Sequence, residues 1–253
     1  MFKITAIPAF TDNYIWAIHN HQHAIVVDPG EALPVLAFLA AEQLELTGIL
    51  CTHRHADHIG GIEKLRGLYN APVYGRRHLA NPYISHDLRE GDTLDLSEFG
   101  VSFNILEIPG HLADHLAFYN DELLFCGDVL FGAGCGRNKE GTLAQLHDSL
   151  QRLSQLPAET KVYCAHEYTA ANLRFAIICE PNNAEIQQRI IATQQLRAAH
   201  LPSLPSNIAL ERATNPFLRC TQTELIQTLQ QQGLSDVSPL AVFCALRTWR
   251  NQF

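Results

Sequence analysis

The segment that most restricts how this chain can fold is Thr52-His53-Arg54-His55-Ala56-Asp57-His58. Three histidines and one aspartate fall within the six residues His53 to His58, directly after the apolar run Ile49-Leu50-Cys51. That run reads as a strand, so the cluster projects from a strand end into a loop. Imidazole nitrogens with a carboxylate make a ligand set suited to zinc, iron or manganese. Alternate positions put His53 and His55 on one side while Asp57 and His58 turn to another, so one short loop can serve two neighbouring metals. A polar loop that is rich in histidine by chance is the competing explanation, and the strand-end position argues against it. Two ligands per metal are too few. The others must come from distant parts of the chain, and they are expected at strand ends as well.

Three residues meet that condition. His111 follows the strand-like Ile105 to Ile108 through Pro109-Gly110, Asp128 follows Leu123 to Cys126 through Gly127, and His166 follows Lys161 to Cys164 through Ala165. Taken singly, each has a simpler reading as a turn residue, a cap or a core histidine. Beside the first cluster they become its expected completion. His115 suits either a hydrogen-bonding partner of a ligand or a buried strand residue. His19, His21 and His23 read as a solvated loop around Asn20-His21-Gln22, and His78, His86, His147 and His200 as surface residues.

Strand-like and helical runs alternate up to about residue 167. Lys3 to Ile7, Tyr14 to Ile18, Ala24 to Val27, Ile49 to Thr52, Pro72 to Tyr74, Thr93 to Leu96, Val101 to Ile108, His115 to Tyr119, Glu122 to Cys126 and Lys161 to Cys164 read as strands. Leu33 to Glu45, Ile59 to Tyr69 and a stretch from the cap Thr142 to Leu156 read as helices. Beyond His166 only helical patterns remain, over Thr169 to Cys179, Ala184 to Ala199, Thr223 to Gln232 and Pro239 to Arg250. The expectation is an α+β fold, two sheets face to face with helices outside them, followed by a helical second domain.

Composition narrows the function. A formal charge of −8, with 18 Lys and Arg that form no run, excludes a general nucleic-acid surface. Apolar stretches such as Leu33 to Ala41 fall short of the roughly 20 residues needed to cross a bilayer. The opening Met1-Phe2-Lys3-Ile4 alternates like a strand and does not resemble a signal peptide, so a cytoplasmic location is expected. Seven cysteines without a CxxC pair, mostly in apolar runs, read as reduced core residues. No membrane or nucleic-acid partner is expected, and the chain is expected to act as a monomer.

The THxHxDH run with a later His, Asp and His resembles the metallo-β-lactamase superfamily. Within it the chain is most similar to the glyoxalase II, or hydroxyacylglutathione hydrolase, family. The likeness extends over Phe10-Thr11-Asp12-Asn13-Tyr14, Gly127-Asp128, Gly132 to Arg137, Ala165-His166-Glu167-Tyr168, Asn215-Pro216-Phe217-Leu218-Arg219 and Arg247-Thr248-Trp249-Arg250. The resemblance implies an αββα metallo-β-lactamase-like sandwich over residues 1–167, the catalytic domain, and a mainly helical substrate-binding domain over 168–253. It further implies two divalent metal ions, zinc first with iron or manganese also suited. One would be held by His53, His55 and His111, the other by Asp57, His58 and His166, with Asp128 between them. The implied reaction is hydrolysis of S-D-lactoylglutathione to glutathione and D-lactate, the second step of methylglyoxal detoxification, with Asp57 and Asp128 at the catalytic centre.

That substrate carries carboxylates, so local cations are required on an acidic protein. Arg137, Arg247 and Arg250 match glutathione-binding positions of the family, and Tyr168 aligns with a glutathione-contacting tyrosine. Two departures bear on affinity: Asn138-Lys139 stands where the family usually has aromatic residues, and Arg250-Asn251 where Lys-Asp is usual. Lys139 is therefore expected to offer a charge to a substrate carboxylate. Cys135, between glycines, is expected to be structural. The rival within the superfamily is a mononuclear-iron dioxygenase acting on glutathione persulfide, against which the complete second set Asp57, His58 and His166 argues.

Overall fold

The computed structural model describes residues 2–253. By its internal contacts the chain divides into two compact units that do not follow chain order. The first runs to Glu107 and includes Asp114–Gly127; the second consists of Ile108–Ala113 and Asp128–Phe253. The sequence boundary at 167/168 falls inside the second unit.

The first unit contains β1 (Lys3–Ala9), β2 (Asn13–His19), β3 (His23–Val27), α1 (Ala32–Glu42), β4 (Glu45–Leu50), α2 (Ala56–Ile59), α3 (Ile62–Tyr69), β5 (Val73–Gly75), β6 (His86–Asp87), β7 (Thr93–Leu96), β8 (Val101–Glu107), β9 (Leu116–Tyr119) and β10 (Leu123–Gly127). Strands β1 to β6 form one sheet in sequence order. The first three pair antiparallel, and β3 to β6 pair parallel. One face of this sheet (Ile15, Ala17, Ala24, Val26, Ile49) packs in a common core with Val35 and Leu39 of α1 and Ile62 and Leu65 of α3. The alternate residues Trp16, Ile18, Ile25, Val27 and Leu50 are buried as well. A sheet covered on both faces explains why its strands read as almost unbroken apolar runs. Each fully buried Ile, Leu or Val there contributes roughly 1.5–3 kcal/mol of transfer free energy. Strands β7 to β10 pair antiparallel in a second set, order β10-β9-β8-β7.

Two readings are corrected in this unit. His19 is not a loop residue: it ends β2, is buried, bonds Thr5 Oγ1 at 2.9 Å and stands edge-on to Phe38. The helix expected from Ile59 to Tyr69 starts only at Ile62, as α3; Ile59 ends the preceding α2, and Gly60-Gly61 separates the two. A side chain at Gly61 would lie 2.6 Å from the Pro29 carbonyl, so the break is a place of close backbone approach.

The second unit contains β11 (Leu130–Phe131), β12 (Gly134–Cys135), α4 (Leu143–Ser154), β13 (Lys161–Cys164), α5 (Thr169–Cys179), α6 (Ala184–Ala198), β14 (Ser206–Asn207), α7 (Ile208–Thr214), a 3-10 turn Pro216–Leu218, α8 (Thr223–Gln230) and α9 (Pro239–Gln252). Thr142 and Gln145 form a capping box at the start of α4, and Asn183 and Asn207 cap α6 and α7. Phe175 of α5, Phe217 and Phe243 of α9 stack or meet edge-on in the core. Buried Glu180 receives the Arg219 guanidinium through Nε at 2.8 Å and Nη2 at 2.8 Å, which fastens the turn after Pro216 to the end of α5. Strands appear beyond residue 166 only as the two residues of β14, paired antiparallel with β13.

Candidate metal centre

In the first unit, the chain leaves β4 through Cys51, whose N–H still donates to Tyr74, and Thr52, whose carbonyl accepts from Leu116. His53 is thus fixed just beyond the end of an interior strand. His55 is the N-cap of α2, a helix of a single turn that swings Asp57 and His58 away from the strand direction. His53 and His58 are buried, while His55 and Asp57 are partly exposed. His53 Nε2 lies 3.1 Å from His55 Nδ1, and the rings of His53 and His58 have centroids 4.0 Å apart. Imidazole nitrogens crowded this closely are stabilised by a cation shared among them.

Asp28, absent from the sequence reading, organises this cluster. It follows β3 with a left-handed backbone (φ 52°) and is buried. Its Oδ1 accepts the Thr52 N–H at 2.7 Å; its Oδ2 accepts Thr52 Oγ1 at 2.6 Å and His58 Nδ1 at 3.1 Å. Because a carboxylate only accepts, His58 donates from Nδ1 to Asp28, and its Nε2 faces Asp57 Oδ2, 3.4 Å away. Asn13 Nδ2 donates to the same Asp57 oxygen at 3.1 Å. Asp28, His53 and His58 each offer a ligand atom within 4.8 Å of the others. His115 is a buried partner of this group: its ring stacks on His53 at 4.5 Å, and its Nδ1 bonds the Leu116 carbonyl at 3.0 Å.

In the second unit, His111 Nδ1 donates to the Arg137 carbonyl at 2.7 Å, and its Nε2 lies 3.5 Å from Asp128 Oδ2. His166 Nε2 stands 3.3 Å from the other oxygen, Asp128 Oδ1. One carboxylate with an imidazole at each oxygen has the donor chemistry to bridge two cations. The His166 ring stacks on Tyr168 at 4.6 Å and meets Phe131 edge-on. Gly136 lies close against the Asp128 backbone, where a Cβ would fall 2.0 Å from the Asp128 carbonyl oxygen.

His111 and Asp128 form one end of a cavity of about 390 Å³ whose remaining wall includes Arg137, Lys139, Tyr168, Arg247 and Arg250. Asp128 is the only carboxylate among its lining residues. Arg137 and Lys139 are exposed. Arg247 is buried, donating from Nη1 to the Cys135 carbonyl at 2.9 Å and from Nη2 to Asn251 Oδ1 at 3.1 Å, with its guanidinium over Phe217. Arg250 lies over Phe175 and Phe253 and reaches Asn172 Oδ1 at 3.4 Å. Burial, and then repulsion from Arg247, Arg137 and Arg174, holds the Arg250 guanidinium below its ordinary pKa. Four cations gathered against a single carboxylate make a site for an anionic ligand. Cys135 is buried in the same wall, where loss of solvation raises its thiol pKa against the pull of Arg247.

The chain matches known families along its length. Residues 9–166 match the metallo-beta-lactamase superfamily, and residues 167–253 match the hydroxyacylglutathione hydrolase C-terminus. The chain belongs to the metallo-beta-lactamase superfamily. A hydroxyacylglutathione hydrolase from Methylobacillus flagellatus is 49% identical over 253 residues, covering 100% of both chains. With the C-terminal match, this makes the chain a member of the hydroxyacylglutathione hydrolase family. Among solved structures, ETHE1 from Myxococcus xanthus is similar with a TM-score of 0.63 and 26% identity, over 97% of this chain and 99% of that one. TTHA1623, solved in a di-iron-bound form, gives a TM-score of 0.59 and 26% identity over 85% of this chain and 100% of that one.

Proposed function

We propose that the protein hydrolyses S-(2-hydroxyacyl)glutathione thioesters, S-D-lactoylglutathione first among them, to glutathione and the free 2-hydroxy acid. The observation that carries this reading is the cavity of the second unit, where His111 and Asp128 share one wall with four basic side chains. A glutathione thioester brings carboxylates for the basic groups and an acyl carbonyl for the metal end. Arg137, Lys139, Tyr168, Arg247 and Arg250 are taken as the substrate-binding residues. Arg250 and Arg137 neutralise carboxylates directly, Lys139 supplies a further charge, and Tyr168 offers an aromatic face. Arg247, with its Nη1 and Nη2 engaged inside the protein, shapes the wall. Residues 168–253 then serve as the substrate-binding domain and 1–167 as the catalytic one.

The donor sets fit divalent metal ions: His53, His55 and His111 for one, Asp57, His58 and His166 for the other, and Asp128 shared. When bound, the ions supply Lewis acidity that acidifies water and polarises the thioester carbonyl. Zinc suits these nitrogen and oxygen donors, as do iron and manganese. The chain's own contribution is orientation. Asp28 holds a proton of His58 on Nδ1, and the Arg137 carbonyl holds one of His111 on Nδ1, so both imidazoles, when neutral, present Nε2 as a lone pair. The leaving thiolate has a pKa near ~8.5 and departs without a strong general acid.

The protein is taken to act as a monomer in the cytoplasm; seven free thiols, six of them buried, suit a reducing compartment, and among the described residues no helix is long and apolar enough to cross a membrane. The test is to mix purified, metal-loaded protein with S-D-lactoylglutathione and follow thiol release with and without a chelator. Chelator-sensitive release is expected. Absence of release overturns the reading, and oxygen consumption with glutathione persulfide would favour the dioxygenase instead.

A further inference from the structure

The segment Asn215-Pro216-Phe217-Leu218-Arg219 has no part in the chemistry described so far. In the second unit it lies against the β11–β12 hairpin. Leu130 pairs with Cys135 and Phe131 with Gly134, and Ala133 turns the chain with a left-handed backbone (φ 54°). Two-residue strands cannot hold such a shape unaided. This hairpin is held from outside. Asn215 Nδ2 donates to the Gly134 carbonyl at 2.9 Å and to that of Phe131 at 3.3 Å. Asn172 Nδ2 donates to Gly132 at 3.0 Å, and Arg247 Nη1 to Cys135 at 2.9 Å. The Ala133 N–H donates to Glu211 Oε2 at 2.9 Å. Glu211 is fully buried, and it is fixed in turn by Arg189 Nη2 at 2.6 Å and Asn215 Nδ2 at 3.1 Å.

The hairpin enters from Asp128 and leaves into Arg137. Gly136 N–H donates to Val129 at 3.1 Å, closing its base, and the Arg137 carbonyl is the acceptor that sets the His111 proton. A shift of the hairpin therefore moves the Asp128 carboxylate and releases the His111 tautomer together. We infer that Asn215 and Glu211 are positioning residues for the metal centre: the buried carboxamide and carboxylate of α7 and its following turn hold the β11–β12 hairpin, and through it Asp128 and His111. The inference rests on the metal reading above. Only a carboxamide serves at 215, because Nδ2 supplies the hairpin and Glu211 while Oδ1 accepts the Phe217 N–H at 3.1 Å.

Asn215→Ser tests this, since serine keeps a capping oxygen for Phe217 but replaces the two carboxamide N–H donors with one hydroxyl on a shorter side chain. Zinc affinity would be measured by competition with a chromophoric chelator, beside the melting temperature of the metal-free protein. The expected result is zinc binding weakened about tenfold or more. A folded variant, destabilised but with wild-type zinc affinity, would show a merely structural role and overturn the inference. Hydrogen exchange on the wild-type chain decides the matter if the variant does not fold. Amides 130–136 should be protected without zinc and little more protected with it; free exchange that slows only on zinc addition overturns the inference. A wild-type chain that binds no zinc refutes the metal reading instead, and exchange in the metal-free protein still reports whether the hairpin is held.

Discussion

Replacing Asp28 with asparagine changes almost no volume and isolates what its charge does. Three donors meet this carboxylate: Thr52 N–H at Oδ1, and Thr52 Oγ1 with His58 Nδ1 at Oδ2. An amide has one acceptor oxygen. Placed at Oδ2 it keeps two of the donors and turns its own NH₂ against the Thr52 N–H; placed at Oδ1 it loses two. The better orientation leaves one buried donor unsatisfied, which costs about 1–3 kcal/mol, and the His58 bond loses its charge-assisted part. Removing a hydrogen-bonding partner of a metal ligand typically weakens metal binding 10–100-fold, about 1.4–2.8 kcal/mol. The two estimates are of the same size, so Asp28→Asn should lose one to two decades of zinc affinity and melt earlier in the metal-free state. Chelator competition and thermal unfolding of both proteins, with and without zinc, measure each part separately. Wild-type zinc affinity in a destabilised Asp28→Asn protein would refute the reasoning and leave Asp28 a purely structural anchor for Thr52.

Two further outcomes are expected. Lys139→Tyr should change KM for S-D-lactoylglutathione and leave kcat near wild type, because Lys139 lines the basic wall and is not one of the proposed metal ligands; an unchanged KM removes it from the site. Burial raises Cys164 and Cys220 from the ordinary thiol value of 9.0 to about 12. The folded protein therefore keeps protons that the unfolded chain gives up above pH 9, so this stabilisation is complete below pH 9 and is lost as pH rises toward 12. The melting temperature should fall across that window, and a thiol reagent at pH 8 should find fewer than seven reactive cysteines until denaturant is added. Rapid native modification of several thiols would contradict the burial.

Much of this arrangement is legible in the sequence because strand ends announce themselves. An apolar run followed by His or Asp marks His53, His111, Asp128 and His166 without knowledge of their neighbours in space. Thr142 with Gln145 fixes the start of α4 by local chemistry alone. Asp28 hides because Asp28-Pro29-Gly30 reads as an ordinary turn; only the parallel pairing of β3 with β4 brings it to Thr52. The β11–β12 hairpin has no periodicity to detect, since each strand has two residues and its shape comes from side chains far along the chain. His19 and Arg247 look solvated by residue type, and both are buried against tertiary partners: Thr5 bonds the His19 ring, while the Cys135 carbonyl and Asn251 take Nη1 and Nη2 of Arg247. The helix α7 escapes notice because its seven residues are fewer than two full turns of apolar pattern.

The left-handed backbone at Asp28 has a consequence for how this chain tolerates mutation. Glycine, asparagine and aspartate are the residues that adopt such a conformation readily. Of these, glycine brings no acceptor and asparagine brings one where three donors wait. Two independent filters, one on shape and one on charge, thus overlap in a single residue type. In a library of every substitution, position 28 should tolerate almost nothing, although it lies outside the His53 to His58 run and would attract no attention beside it.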